Sequence, residues 1–307
     1  QGIWYRKDWF EEKGLAAPNT WDNILTAAKA LTDKDNNQYG ILVGTKQDSF
    51  TEQVFTQLAL SNNASEFDAN GNLIFNSPET LETIQFYQQL AQYNPPGPQN
   101  WRARDYYLQG KMAMFFYSTY IMDDLALAEV AMSSLSAENF AELNGGTFDP
   151  DLVKNTAFAP IITHKSAASY GTLSGLVALK TDDEAAAQAS QDFIKFMYDP
   201  VSYITFLHMA PGGMNPMLKG IAEDDAYLND PNGVFKLYGA DKMKQIVSGF
   251  DDIRSFSVVE GKTFPASGEI FAKSVIPRMI YDVTIEGKDP QMALDSAEAE
   301  MKAIINQ

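Results

Sequence analysis

Ile3-Trp4-Tyr5-Arg6-Lys7-Asp8-Trp9-Phe10-Glu11-Glu12-Lys13-Gly14-Leu15, with Pro18-Asn19-Thr20-Trp21-Asp22 close behind, carries three structural signals in one short stretch. Gln1 to Tyr5 reads as an apolar strand, and Lys7–Lys13 as a short helix that Gly14 closes. Thr20 then has the chemistry of an N-cap, because its hydroxyl can accept from a backbone N–H that the helix itself leaves free. Beyond it Ile24, Leu25, Ala28 and Leu31 recur at helical spacing. Nothing like a leader or a domain start precedes the first strand, so the sequence is expected to begin inside a longer protein.

The same alternation continues outward. Asp33 to Asn37 is a polar turn whose oxygens hint at a calcium loop but lack its glycine and terminal glutamate. Residues 39–43 read as a strand, 53–60 as a helix, and 67–75 as a hairpin around Asn70-Gly71. Ser77 caps a helix that has Pro78 at its first position. Residues 104–109 are helical up to Gly110, 112–117 and 158–160 are strands, and 123–131 is an amphipathic helix. Residues 174–179 are expected to be an apolar strand, followed by a helix over 182–198 with Phe193 and Phe196 on one side. Gly212-Gly213 breaks the next helix, and a terminal helix pair is joined near Gly287. Strands alternating with helices define an α/β architecture.

Composition narrows the function. A chain of 307 residues suits two lobes, and an apolar content of 45% supports a packed core. The net charge of −17 argues against a nucleic-acid partner and against docking on an anionic membrane. With no cysteine and only His164 and His208, the chain lacks material for a disulfide, a thiol nucleophile, a zinc site or a Ser-His-Asp triad. No metal and no cofactor is expected. No stretch is apolar for long enough to span a bilayer.

Five segments in one order resemble the sugar-type extracellular solute-binding proteins of ABC importers. The first is the opening stretch with its Pro-x-Thr-Trp-Asp helix start. The others are Phe75-Asn76-Ser77-Pro78-Glu79, then Leu108-Gln109-Gly110-Lys111-Met112-Ala113-Met114, then Gly171-Thr172-Leu173-Ser174-Gly175 with Phe193-Ile194-Lys195-Phe196-Met197, and last the helix over 289–305. The resemblance implies a two-lobe, type II periplasmic-binding-protein-like fold. The C-terminal lobe would be built from residues 1–171 and 240–307, and residues 172–239 would supply the last part of the N-terminal lobe. The family's opening segment, which makes most of that lobe, does not stand before Trp4-Tyr5. The resemblance also implies a monomer that hands a small solute to permease subunits, in the periplasm or outside the cell, with a lipid anchor a further possibility.

By the same resemblance Tyr120 stands where relatives place an aromatic that stacks on sugar, although a core or helix-start tyrosine fits the spacing too. Gln47 and Asp48 leave the 39–43 strand where relatives place polar ligand residues, and Asp48 can equally cap the helix behind it. Trp4 and Tyr5 must face opposite ways, one into the core and one toward the cleft. Ser174 and Gly175 lie at a lobe crossing, where a small residue admits ligand or simply makes a turn. Asn215 either reaches a ligand or marks a helix break. Phe264-Pro265 falls near the cleft on resemblance alone, and Arg254 is either a ligand to an acidic or hydroxyl group or a solvated ion pair.

The expected activity is therefore capture of a mono- or oligosaccharide, with no catalytic residues. Two alternatives stay open on sequence. The same fold could hold a betaine, polyamine or amino acid through an aromatic box with carboxylates. A glycoside hydrolase would need two carboxylates facing each other across a scissile bond.

Overall fold

The computed structural model describes residues 1–306, without the side chains of Lys219 and Val247. β1 (Gly2–Arg6) runs directly into α1 (Lys7–Lys13), and Gly14 ends that helix in the left-handed conformation at φ 64°. α2 (Trp21–Ala30), α3 (Ser49–Ser61) and α4 (Pro78–Ala91) follow, capped by Thr20, Asp48 and Ser77 through side-chain oxygens. α5 (Arg104–Leu108) leads into β2 (Met114–Tyr117). α6 (Ile121–Ala126), α7 (Ala128–Leu135) and α8 (Leu152–Asn155) come before β3 (Thr156–Ala159). The expected helix over 123–131 is thus two helices, because Leu127 is extended at φ −123° and ψ 118°.

The central sheet has the order β2-β1-β3 with both pairings antiparallel, and Trp4 sits opposite Phe115 and Phe158. Residues 39–43 lie parallel along the outer edge of β2, where Tyr39 N–H donates to Lys111 O at 2.9 Å and Leu42 N–H to Met114 O at 3.0 Å. They form bridges there instead of a full strand. At Val43 the side chain of Asn94 takes over, accepting from its N–H at 2.9 Å and donating to its carbonyl at 2.8 Å.

Ile3, Trp4, Phe115 and Phe116 are fully buried, each contributing about 1.5–3 kcal/mol by leaving water. α3 packs against α4 and against α16 (Val275–Thr284), so even its polar Thr51, Glu52, Thr56 and Gln57 are buried. α17 (Pro290–Ile305), beginning at the cap Asp289, lies on α16 and α4. Within the terminal helix pair α16 is thus enclosed between α3, α4 and α17, with no exposed residue.

Residues 174–179 are not a strand. No described residue supplies a ladder partner, and Val177 and Leu179 stand 78% and 80% exposed. α9 (Glu184–Met197) does form, with Asp183 accepting from Ala185 and Ala186 N–H, yet it buries no residue, and Phe193 and Phe196 are 55% and 59% exposed. Local signals suffice for a capped helix, whereas a strand requires a neighbour's hydrogen bonds. α10 (Pro200–Leu207), α11 (Lys219–Ala222) and α12 (Asp225–Leu228) follow, and then α13 (Val234–Tyr238). α13 packs on α6 and α8, and Tyr238 OH donates to Met122 O at 3.0 Å. α14 (Ala240–Ser248) and α15 (Pro265–Ala272) complete the order.

Candidate functional site

Because β2 and β3 both run antiparallel to β1, their carboxyl ends and the start of β1 meet at one edge of the sheet. That edge opens into a cleft of about 660 Å³. Its walls are the 118–120 turn after β2, the exit of β3 at Phe158 and Pro160, the extended 169–173 segment, and the loop from Gly213 to Met217.

Tyr120 stands in this cleft, half exposed. The Gly212-Gly213 turn braces it from behind: a Cβ on Gly213 would come within 2.3 Å of Tyr120 Cδ1, so only glycine fits against the ring. Asn215 holds that turn in place. Its Nδ2 donates to Thr119 Oγ1 at 2.9 Å and to Gly212 O at 3.0 Å, while its Oδ1 has no partner among the described residues. Trp4 supports the same turn from below, donating from Nε1 to Ser118 O at 3.2 Å while fully buried beside Phe158.

The structure thus brings Tyr120 and Asn215 together and places the other expected residues elsewhere. Trp4 is in the core beneath the cleft, and Tyr5, pointing the opposite way, packs on Phe10 at 4.7 Å. Neither lines the opening. Gln47 is exposed, and Asp48 accepts from Phe50 and Thr51 N–H as the cap of α3; neither lines the cleft. Ser174 and Gly175 lie just past its lip, exposed, with open space around Gly175. Phe264 stacks on Phe67 at 5.3 Å, and Arg254 donates to Leu60 O at 2.9 Å and Ser166 Oγ at 2.8 Å, so both hold loops together.

Sequence reasoning missed a second compartment of about 200 Å³, walled by Gln53, Ser118, Trp101, Tyr117 and the start of α3. Ser49 and Gln53 are four apart on α3 and share one face, a spacing legible in the sequence. Trp101 carried no such signal. It is oriented by the guanidinium groups of Arg102 and Arg104, 4.4 and 5.1 Å from its ring centroid.

No described residue lining either compartment has a charged side chain. The charged groups are buried behind the walls. Asp124, paired with Arg104 at 3.1 Å, is pushed up to about 7 by burial, with Arg104 pulling the other way. Glu52 and Glu66 are nearly inaccessible, and burial together with their mutual repulsion holds Glu52 up to about 8. Burial raises Glu66 to about 7, against a hydrogen bond from Ser267.

The chain belongs to the bacterial extracellular solute-binding protein family, whose pattern matches residues 1–203. The fold is accordingly the α/β type II periplasmic-binding-protein fold. YcjN of Escherichia coli, which carries the name of an ABC transporter periplasmic-binding protein, is 29% identical over 100% of this chain. The chain spans 65% of the length of that relative. Among solved structures, an ABC transporter solute-binding protein of Agrobacterium radiobacter in complex with ribitol superposes with a TM-score of 0.73 at 21% identity. One from Thermotoga lettingae bound to alpha-D-tagatose gives 0.71 at 18% identity. In both cases the match covers 99% of this chain and 69% of the other.

Proposed function

We propose that this protein is the solute-capturing component of an ABC importer, acting in the periplasm or outside the cell and delivering a neutral carbohydrate or polyol to the membrane permease. The observation that carries this reading is the lining without charged side chains: hydroxyls and amides beside the half-exposed ring of Tyr120. Hydroxyl-rich solutes need such partners, with an aromatic face for their C–H surfaces. A polyamine site needs carboxylates around its cations, and the described lining offers none. A glycoside hydrolase needs two acids across the bond it cleaves, and the same lining offers none. Tyr120 and Asn215 are the residues proposed to touch solute.

A thermal-shift screen of the full-length protein against neutral sugars, polyols, betaines and polyamines tests this. A carbohydrate or polyol is expected to raise the melting temperature, at 100 Kd by the equivalent of about 2.7 kcal/mol. It should be recovered chemically unchanged, and Tyr120→Ala should weaken its binding about tenfold. A shift with betaine or polyamine alone, or release of a hydrolysed product, would overturn the reading.

The division into lobes is part of the same proposal: 1–171 with 240–307 as one lobe, and 172–239 as the last part of the other. Supporting it are the exposed apolar side chains of Val177, Leu179, Phe193 and Phe196, of the kind that marks an interaction surface when they lie together. Residues 1–307 produced alone should therefore self-associate and bind an apolar dye. Phe193→Ser with Phe196→Ser should reduce both without lowering the melting temperature. A monodisperse, dye-silent 1–307 would count against the division.

A further inference from the structure

The cleft has a smaller neighbour with which it shares lining residues. The larger, beside Tyr120, and the smaller, beside Trp101, meet along a wall made by Gln1, Gln53 and Ser118. The smaller one, about 200 Å³, falls below the usual range of roughly 300–1,000 Å³ for a complete ligand site, so it makes sense as part of a longer one.

Gln53 is the unusual residue in this wall. It is the partly exposed position in a run of α3 where Glu52 and Val54 on either side are buried, so a rigid helix carries its side chain to the joint. Its amide has no hydrogen-bond partner among the described residues. The other glutamines that meet buried backbone are spent on it. Gln57, one turn further on, donates to Pro160 O at 3.2 Å, Gln99 to Pro96 O at 2.7 Å, and Gln109 to Ser134 O at 3.0 Å. An unspent amide offers two donors and an acceptor in one plane, a match for neighbouring hydroxyls or for a hydroxyl beside a bridging oxygen.

Ser118 completes the joint. Its carbonyl is fixed by Trp4 and its Oγ accepts only a long 3.4 Å contact from Tyr120 N–H, which leaves the hydroxyl proton free to donate. Each compartment also has an aromatic of its own, Tyr120 on one side and Trp101 on the other. The Trp101 indole N–H has no partner among the described residues, whereas those of Trp4 and Trp21 are satisfied by Ser118 O and Ser61 Oγ.

From this geometry we infer that Gln53 is a specificity-determining residue at the joint, and that the solute is a neutral saccharide of at least two sugar units spanning both compartments. A single ring on Tyr120 would leave Trp101 and half of the joint without a partner. The inference rests on the proposed carbohydrate function and narrows it.

Titration calorimetry on the full-length protein tests it, using glucose, galactose and mannose against maltose, cellobiose, laminaribiose and lactose. At least one disaccharide is expected to bind about tenfold or more tightly than any monosaccharide. Gln53→Ala should weaken that disaccharide about tenfold, the usual consequence of losing one or two hydrogen bonds, while the melting temperature of the free protein stays unchanged. Trp101→Phe should weaken the disaccharide and leave monosaccharide binding as it was. A monosaccharide that binds as tightly as every disaccharide, or a disaccharide affinity indifferent to Gln53→Ala, overturns the inference and leaves the carbohydrate function standing. Binding of no sugar in the panel, with a response to another solute class in the thermal screen, overturns both.

Discussion

Replacing Arg104 with alanine is expected to destabilise the protein by about 3–5 kcal/mol, the cost of leaving one member of a buried ion pair alone. The pair is well shielded, with the Arg104 and Asp124 side chains only 13% and 5% exposed. The guanidinium is also committed elsewhere: it donates to Tyr117 OH at 2.9 Å and lies 5.1 Å from the Trp101 ring centroid. Asp124 already has its pKa raised to about 7 with the arginine present. A carboxyl raised in this way favours folding while protonated, and that contribution is lost as pH rises from its unfolded value through the folded one. Without Arg104 the folded value climbs further, so the variant should lose more stability at pH 8.5 than at pH 6. Urea melts at the two pH values measure this. A loss below about 1 kcal/mol at both would show that the pair is no better than a surface bridge. Arg104→Met with Asp124→Leu should recover much of the loss, since an apolar pair leaves no charge to desolvate.

Raising the pH from 5 to 8.5 is expected to lower the melting temperature of the protein, and Glu52→Gln should flatten that slope. Glu52 rises from 4.5 to about 8 on folding and Glu66 to about 7, with burial the larger cause in each. The sign follows from proton counting. Above the unfolded value of 4.5 the unfolded chain releases these protons while the folded protein keeps them, so stability falls through the window from about 4.5 to about 8. The two carboxyls repel each other and titrate as a pair, which makes the combined effect on the order of a few kcal/mol rather than the sum of two independent groups. Glu52 Oε2 has no hydrogen-bond partner among the described residues, and a neutral glutamine there removes the charge while keeping the shape. Asp124 titrates in both proteins, so the difference between their pH slopes isolates the glutamate pair. Parallel slopes would mean that Glu52 stays ionised and hydrated.

The elements that could be read from sequence are those written in a few consecutive residues. Thr20, Asp48, Ser77 and Asp183 each accept backbone N–H groups two or three positions ahead, and Gly14 turns left-handed where α1 must stop. Their signals need no distant partner. The strand expected at 174–179 failed for the converse reason, since apolar β-favouring residues make a strand only when a neighbour supplies the ladder. Asp48 shows the limit from another side. Its side chain is occupied by the cap that its position called for, and that leaves the cleft to Gln53 five residues later on the same helix.

Sequence by itself determined that the chain is α/β, that it carries no thiol chemistry, and that its ordered segments resemble a solute-binding family. It also narrowed the aromatic candidates to a small set that included Tyr120. Only tertiary structure decided which of them face the cleft. Trp4 reaches the carbonyl of a residue 114 positions away, and Asn215 a hydroxyl 96 positions away, to build one turn around Tyr120. The close approach of Gly213 to that ring joins segments equally remote. Periodicity and capping are properties of neighbours along the chain, whereas a binding surface is made by residues that only packing brings together.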